Sequence, residues 1–218
     1  MSYLTLADEI VVLMLDDTTG DINPGCLPVA GVAIAGGILM ELALRENIDS
    51  DLTSLFIVNQ KPTGDELLDE VLQEIGAEPE RQSSAWWIDQ LSVRHRDLVD
   101  RVLARLVARG ILREEERRFL WVFSRRAYPQ VSGREEREAK ARLMSVLFND
   151  EVPAPRDTLL LGLAYSADVL SKILTTEELE KASARIENVA GLEEIGRAVG
   201  QVSSQVRDAM AMMLAPYH

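Results

Sequence analysis

The spacing of apolar residues along this chain predicts helices over most of its length. Leu6, Ile10, Leu13 and Met14 recur at helical spacing behind Thr5, a residue suited to the N-cap. Turns rich in glycine, proline and aspartate separate this helix from later segments of the same kind. We predict further helices over residues 29–45, after the PTGD turn at 62–65, from Trp86 onward, and over 93–109, 133–148, 157–174 (capped by Asp157), 176–188 and 191–214.

Two segments have the composition of strands: SLFIV at 54–58 and FLWVF at 119–123. The second lies between charged clusters, and its pairing partner is either residues 111–112 or residues 126–131. Charged neighbours on both sides are typical of a protruding hairpin and not of a central strand. We therefore predict a hairpin over about residues 113–128.

Composition and the longest apolar run favour one helical domain. The chain has 218 residues, of which 47% are apolar and 5% aromatic, enough for one core and more typical of helix than of sheet. The run from Leu27 to Met40 has 14 residues, fewer than the roughly 20 that span a membrane. Its Ala33, Ala35, Gly36 and Gly37 predict a core helix packed closely against a neighbour. The predicted fold is mainly α: a single globular helical domain over residues 1–218 with a protruding β-hairpin.

Residues with catalytic or metal-binding chemistry are few. Two histidines and one cysteine, Cys26, make neither an internal disulfide nor a zinc site. Nucleotide-binding glycine loops and serine-nucleophile motifs are absent, and the pairs Asp8–Glu9 and Asp16–Asp17 are expected as helix caps and turn formers. The first residues lack the pattern of a signal peptide. We therefore expect a cytoplasmic non-enzyme with no metal and no cofactor, which lies on the cytoplasmic face of any membrane it meets.

Charge is distributed unevenly along the chain. The net charge of −13 argues against general nucleic-acid binding, yet the segment from Leu91 to Arg142 carries 14 Lys or Arg and 8 Asp or Glu. Arg101, Arg105 and Arg109 are spaced by four and share one stripe of a predicted helix. The stripe is either an anion-binding surface or a solvated face neutralised by local ion pairs. The predicted anion ligands are Arg94, Arg96, Arg101 and Arg105.

The FLWVF segment has two interpretations of its own. Alternation along a strand puts Phe119, Trp121 and Phe123 on one side, where they are either core residues or an exposed patch. The charged flanks favour exposure, which makes these three residues a patch for a partner or for a membrane interface. Helix and hairpin together, LVARGILREEERRFLWVF, also look like the recognition helix and wing of a winged-helix DNA-binding domain, although the acidic net charge counts against that hypothesis. A module that binds only proteins is the third hypothesis.

Seven segments in this order resemble the Golgi phosphoprotein 3 family: LTLADEIVVLMLDD, MELALREN, PTGDELLDEVL, the Trp-Ile pair at 87–88, RLVARGIL, the hairpin ending in YP, and LLLGLAYSADVL. The resemblance implies a mostly helical single domain without enzymatic activity, whose β-hairpin mediates self-association, here through Phe119, Trp121 and Phe123. It also implies a peripheral membrane protein, because eukaryotic members bind phosphatidylinositol 4-phosphate on Golgi membranes and link glycosyltransferase tails to vesicle coat. Arginine outnumbers lysine by 19 to 4, which indicates a bacterial relative.

The lipid site of that family is matched only in part. By resemblance, Arg96 stands where the family has one of its head-group arginines, whereas Val99 and Ala35 stand where it has two others. Cys26 lies near the expected place of the family's tryptophan. The partners implied are an anionic phospholipid head group, with phosphatidylinositol 4-phosphate implied by resemblance alone, a second copy of the chain, and other proteins. The lipid site is then either active with lower specificity or vestigial.

Overall fold

The structure is a computed structural model that describes residues 4–51, 53–119, 123–149, 151–190 and 194–214, without the side chains of 117–119, 123–125, 190 and 214. In this part of the chain, ten α helices dominate and two antiparallel strand pairs accompany them, which confirms the predicted mainly α fold with a hairpin. The helices are α1 (Leu6–Met14), α2 (Ala30–Leu44), α3 (Glu66–Ala77), α4 (Ser84–Arg94), α5 (Leu98–Ala108), α6 (Arg134–Phe148), α7 (Pro155–Ser166), α8 (Leu170–Ile173), α9 (Thr176–Ala190) and α10 (Glu194–Leu214). The strands are β1 (Ile48–Ser50), β2 (Leu55–Ile57), β3 (Glu115–Phe119) and β4 (Phe123–Ala127).

Helix α2 is the centre of the core and packs against α1, α4, α7 and α10. The small residues predicted to allow close packing do so. A Cβ on Gly36 would overlap Val199 Cγ2 of α10, and a Cβ on Gly37 would lie 2.9 Å from the backbone nitrogen of Ala7. By length and composition alone, the window Leu27–Leu44 could cross a membrane, but 72% of it is buried inside the fold. Its apolar surface therefore faces protein.

The hairpin differs from its prediction in where the strands lie. Of the predicted strand FLWVF, Phe119 is the last residue of β3 and Phe123 the first of β4, and these two residues pair across the ladder, while residues 120–122 lie outside the described residues. The charged segments EERRF and FSRRA form the strands instead, since antiparallel pairing needs backbone partners and not apolar side chains. Trp121 lies outside the described residues, as do the side chains of Phe119 and Phe123, so their predicted role in self-association stays a prediction.

Two predicted helices also differ from the structure in their boundaries. The segment 157–174 is not one helix capped by Asp157: α7 begins at Pro155 behind the N-cap Ala154, and the chain turns at Asp168, whose φ is 61°, before α8. Proline is favoured in the first turn of a helix, which explains the earlier start. The predicted start at residue 93 falls inside α4, which continues to Arg94 before a turn leads into α5. The strand predicted at 54–58 is β2, and it pairs with β1, which was not predicted.

Candidate functional site

Helices α2 and α10 run antiparallel through the core. Gly36 of α2 meets Val199 of α10. Cys26, ten residues before Gly36, is close enough to Arg207, eight residues after Val199, for the arginine's charge to lower the pKa of the thiol. The beginning of α2 and the second half of α10 therefore lie at the same end of the fold.

Helix α4 brings its C-terminus to that end as well. Ser84 Oγ, at the start of α4, donates to a carboxylate oxygen of Glu194, at the start of α10, so both helices begin at one level. Near the end of α4, Ser92 Cβ lies 3.9 Å from where a Cβ on Gly31 of α2 would be. The turn after α4 thus lies beside the beginning of α2. We call this region the cationic end; its members are Arg94, Arg96, Lys172 and Arg207, with the exposed apolar residues Leu27 and Val93.

The loop before α2 lies against α8 and the end of α7. A Cβ on Gly25 would lie 3.3 Å from Asp168 Oδ2 and 3.5 Å from Lys172 Nζ. Arg207 Nη2 donates to the Ser166 carbonyl oxygen at 3.0 Å. Burial, and to a smaller degree the charge of Asp168, raises the pKa of the Cys26 thiol above its ordinary value, against the opposing effect of Lys172 and Arg207. The two cations therefore flank a buried thiol that stays protonated near neutral pH.

Arg94 and Arg96 are the exposed arginines at this end. The Arg94 guanidinium lies over the Trp86 ring, 5.5 Å from its centroid, and Arg94 Nη1 is 3.9 Å from Glu74 Oε2. Arg96 occupies the turn between α4 and α5, and among the described residues no carboxylate lies within ion-pair distance of it. Its charge is therefore available to an anion from solution.

His95, between Arg94 and Arg96, links the turn after α4 to carboxylates of α3. Its Nε2 lies 2.6 Å from Glu74 Oε1, and its Nδ1 lies 3.9 Å from Glu70 Oε1. These three side chains offer ligand atoms within 4.8 Å of one another, an arrangement that a divalent cation could use. Arg101 pairs with Glu70, and Arg94 approaches Glu74, so both carboxylates are already shared with arginines. The cluster positions the turn that carries Arg96.

The arginine stripe of α5 lies against other parts of the protein. The hydrogen bond to Glu70, with the charges around it, raises the pKa of Arg101 above its ordinary value. Arg105 Nε donates to Asp8 Oδ1 at 2.8 Å, and its Nη1 lies 3.0 Å from Asp65 Oδ2. Arg109 Nη1 lies 3.1 Å from Asp8 Oδ2. The stripe that suggested a DNA recognition helix is thus engaged by acidic side chains of α1 and α3, and Arg101 and Arg105 are not free ligands.

Asp8 is the fully buried carboxylate at the centre of this group, with 0% of its surface exposed. Thr5 N donates to Asp8 Oδ2 at 3.0 Å, and Asp8 N donates to Thr5 Oγ1 at 3.2 Å, which together form a capping box. Asp16 Oδ1 likewise accepts from the backbone nitrogens of Thr18 and Thr19. Both residues have the cap and turn roles predicted from the sequence.

A second arginine group escaped the sequence analysis. Arg156 Nη1 donates to Glu41 Oε2 at 3.0 Å, and Arg142 donates to Glu9. Burial raises the pKa of Glu9 above its ordinary value, while the charges of Arg142 and Arg156 oppose the rise. One signal was available: Glu41 is the only acid in an apolar helix and is followed four residues later by Arg45.

A cavity of about 380 Å³ lies between the loop after β2 and the face of α3. It is lined mainly by Gln60, Pro62, Leu72 and Gln73, with Asp69 as its carboxylate. Asp69 Oδ1 accepts hydrogen bonds from the backbone nitrogen and the hydroxyl of Thr63, at 2.6 and 2.7 Å. The carboxylate in this cavity is therefore already hydrogen-bonded within the protein.

Comparison with protein families identifies the fold. The family model of Golgi phosphoprotein 3 (GPP34) matches residues 6–213. The chain belongs to this family. Vacuolar protein sorting-associated protein 74 of Eremothecium gossypii is 28% identical over 214 residues, which are 82% of this chain and 63% of that protein. The protein of the same name from Schizosaccharomyces pombe is 29% identical over 224 residues, 85% of this chain and 66% of that protein. The chain thus spans just under two thirds of the length of these relatives, and its bacterial origin stays a prediction.

The three positions that by resemblance replace head-group residues of the family are wholly or partly buried. Ala35 and Cys26 are fully buried, and Val99 packs against the core while half-buried. None of these three side chains can donate a charged hydrogen bond to a phosphate. Of the predicted lipid ligands, Arg94 and Arg96 are exposed at the cationic end, whereas Arg101 and Arg105 pair with carboxylates of the protein.

Proposed function

We propose that this chain is a non-enzymatic peripheral membrane adaptor on the cytoplasmic face of a membrane. It contacts anionic phospholipid head groups through its cationic end and self-associates through the β3–β4 hairpin. Membership of the Golgi phosphoprotein 3 family supports the adaptor role. The observation that carries the lipid part is Arg96, an exposed guanidinium that is left without an ion-pair partner by the described part of the chain.

The number of available arginines limits the strength of this contact. A charge-assisted hydrogen bond contributes about 1.5–3 kcal/mol, and Arg94 and Arg96 are the exposed arginines among the described residues of the cationic end. Arg101 and Arg105 would have to leave Glu70 and Asp8 to bind a phosphate. We therefore expect salt-sensitive binding with little discrimination between anionic head groups, strengthened by self-association, which multiplies weak contacts.

The hydrogen bonds and ion pairs of the carboxylates favour an adaptor over a hydrolytic enzyme. Those that stand out in the sequence, Asp8, Glu9 and Asp16, are engaged by a helix cap, by arginines and by turn backbone nitrogens. A general base needs a carboxylate that can reach substrate. Their engagement agrees with the family's adaptor role.

Replacing Arg96 by glutamate is expected to weaken binding to phosphatidylglycerol vesicles by at least about tenfold. Each cation near an anionic surface contributes about 1 kcal/mol, and the substitution both removes one and adds an opposing charge. Co-sedimentation at low and physiological salt measures the partition coefficient. Vesicles of neutral lipid, phosphatidylglycerol, cardiolipin and phosphatidylinositol 4-phosphate compare the head groups.

The matched control is Arg81→Glu. Arg81 precedes the start of α4, at the opposite end from Arg96, and its guanidinium lies over the Phe56 ring. Both variants change the net charge equally. Equal losses in the two would contradict a localised site, and no binding by the unaltered chain to any vesicle would favour the protein-only module.

Replacing Trp121 by alanine is expected to shift the protein toward smaller species in light scattering coupled to size exclusion, because an aromatic side chain is a typical anchor of an interface. Leu27→Ala, which truncates an exposed apolar residue outside the hairpin, is the control. A chain that is monomeric at micromolar concentration before any substitution would contradict self-association.

A further inference from the structure

The second half of α10 leaves the body of the fold. This helix has 21 residues and is about 31 Å long. Its first half packs on α2, α4 and α7, and the last residues buried there are Val202 and Ser203. Val206 and Arg207 are half-buried, and every residue from 208 to 213 is exposed. We call residues 209–213 the α10 overhang.

The α10 overhang is apolar on all its sides. Its sequence is AMAMM, with Met210, Met212 and Met213 exposed to 41%, 77% and 83%. Methionine is flexible and polarisable, and it is common on surfaces that accept varied apolar partners. Contiguous exposed apolar groups of this kind mark an interaction site.

The positive charges beside the α10 overhang indicate which kind of partner it binds. The helix leaves the fold at Arg207, beside Lys172 and at the same end as Arg96. Asp208 is the one acid among residues 195–213 of the helix. In a chain of net charge −13, cations around an apolar projection complement an anionic lipid surface. A symmetric contact between two copies would instead bring two cationic ends together.

We propose that the α10 overhang inserts into the boundary between head groups and acyl chains of the membrane that Arg96 contacts. Five residues of helix rise about 7–8 Å, which matches the depth of roughly 5–10 Å at which interfacial helices lie. This inference rests on the proposed membrane function and adds the apolar anchor to it.

The first test uses the full chain with Met213→Cys, labelled with the environment-sensitive fluorophore NBD. Cys26 is buried, so the new thiol reacts selectively. Addition of phosphatidylglycerol vesicles is expected to shift the emission to the blue, and brominated acyl chains are expected to quench it. The control is Ser183→Cys on the exposed face of α9, whose emission is expected to stay unchanged.

The second test replaces Met212 and Met213 together by serine and measures partition to the same vesicles. We expect about a tenfold loss, because two largely exposed apolar side chains no longer transfer to lipid. The control is Val58→Ser, an exposed apolar residue whose backbone nitrogen donates to the Asn47 carbonyl after α2, at the opposite end of the fold. It is expected to bind as the unaltered chain does.

The outcomes separate this inference from the proposed function. If the unaltered chain binds and Arg96→Glu weakens it, while the double serine variant binds normally and NBD at position 213 does not shift, the α10 overhang is no anchor and the head-group site stands. If no vesicle is bound, both proposals fail. A blue shift without vesicles, together with an oligomer that the double serine variant dissociates, would assign the α10 overhang to a second copy and overturn the inference.

Discussion

Replacing Glu41 by alanine is expected to lower the free energy of unfolding by about 3–5 kcal/mol, because breaking a buried ion pair leaves its partners uncompensated. Glu41 Oε2 accepts from Leu6 N and from Arg156 Nη1, both at 3.0 Å, and its Oε1 accepts from Arg45 Nε at 3.0 Å. The substitution therefore removes the acceptor of the first backbone nitrogen of α1 and a carboxylate partner of two guanidinium groups at once, although Arg156 keeps its contact to Glu9. Urea unfolding followed by circular dichroism measures the change.

The chain supplies a matched control in Glu177→Ala. Glu177 also pairs with a cation four residues later, Lys181, but both side chains are exposed. An exposed pair of this kind contributes only about 0.3–0.5 kcal/mol. If Glu41→Ala costs no more than Glu177→Ala, the buried network does not stabilise the fold.

Replacing Asp8 by alanine is expected to destabilise the fold by a similar amount, about 3–5 kcal/mol. Asp8 is fully buried and holds three partners together: the backbone nitrogen of Thr5, Arg105 and Arg109. The capping box is lost with it, a contribution of about 1 kcal/mol within that total. Arg105 keeps Asp65 as a partner, which limits the loss. The measurement is again urea unfolding.

A double-mutant cycle of Asp8→Ala with Arg105→Ala tests whether the two residues act as a pair, since partners in one network are not additive. Asp89→Ala, at an exposed position of α4, controls for the substitution itself and is expected to change stability by less than about 0.5 kcal/mol. Additive losses in the cycle would show that the contact between Asp8 and Arg105 does not stabilise the fold.

These expectations affect how binding assays are interpreted. A charge reversal at Arg105 removes its contacts to Asp8 and Asp65, so a loss of vesicle binding in that variant could arise from unfolding. Arg96 lacks such contacts in the described part of the chain, and its reversal reports on binding. Only the second substitution tests the lipid site.

The sequence by itself determined the helical fold, the capping role of Asp8, and the close packing of Gly36 and Gly37 in the core helix. These features follow from local periodicity, from side chains that bond their own backbone nearby, and from the absence of a Cβ. It also carried the family resemblance, because that depends on the order of short segments. It misplaced the hairpin strands, since strand composition favours the apolar run FLWVF, whereas the ladder joins the charged segments EERRF and FSRRA.

Only the tertiary structure decided which arginines are available. Arg96, Arg101 and Arg105 look alike in the sequence, yet Asp8 lies 97 residues from Arg105 along the chain and is its hydrogen-bond partner in the fold. A partner so distant leaves no local pattern, whereas burial and ion pairing depend on which helices meet. The same holds for the α10 overhang: a helix that is apolar on all its sides is normally buried, yet these methionines are exposed, because burial in α10 ends at Ser203.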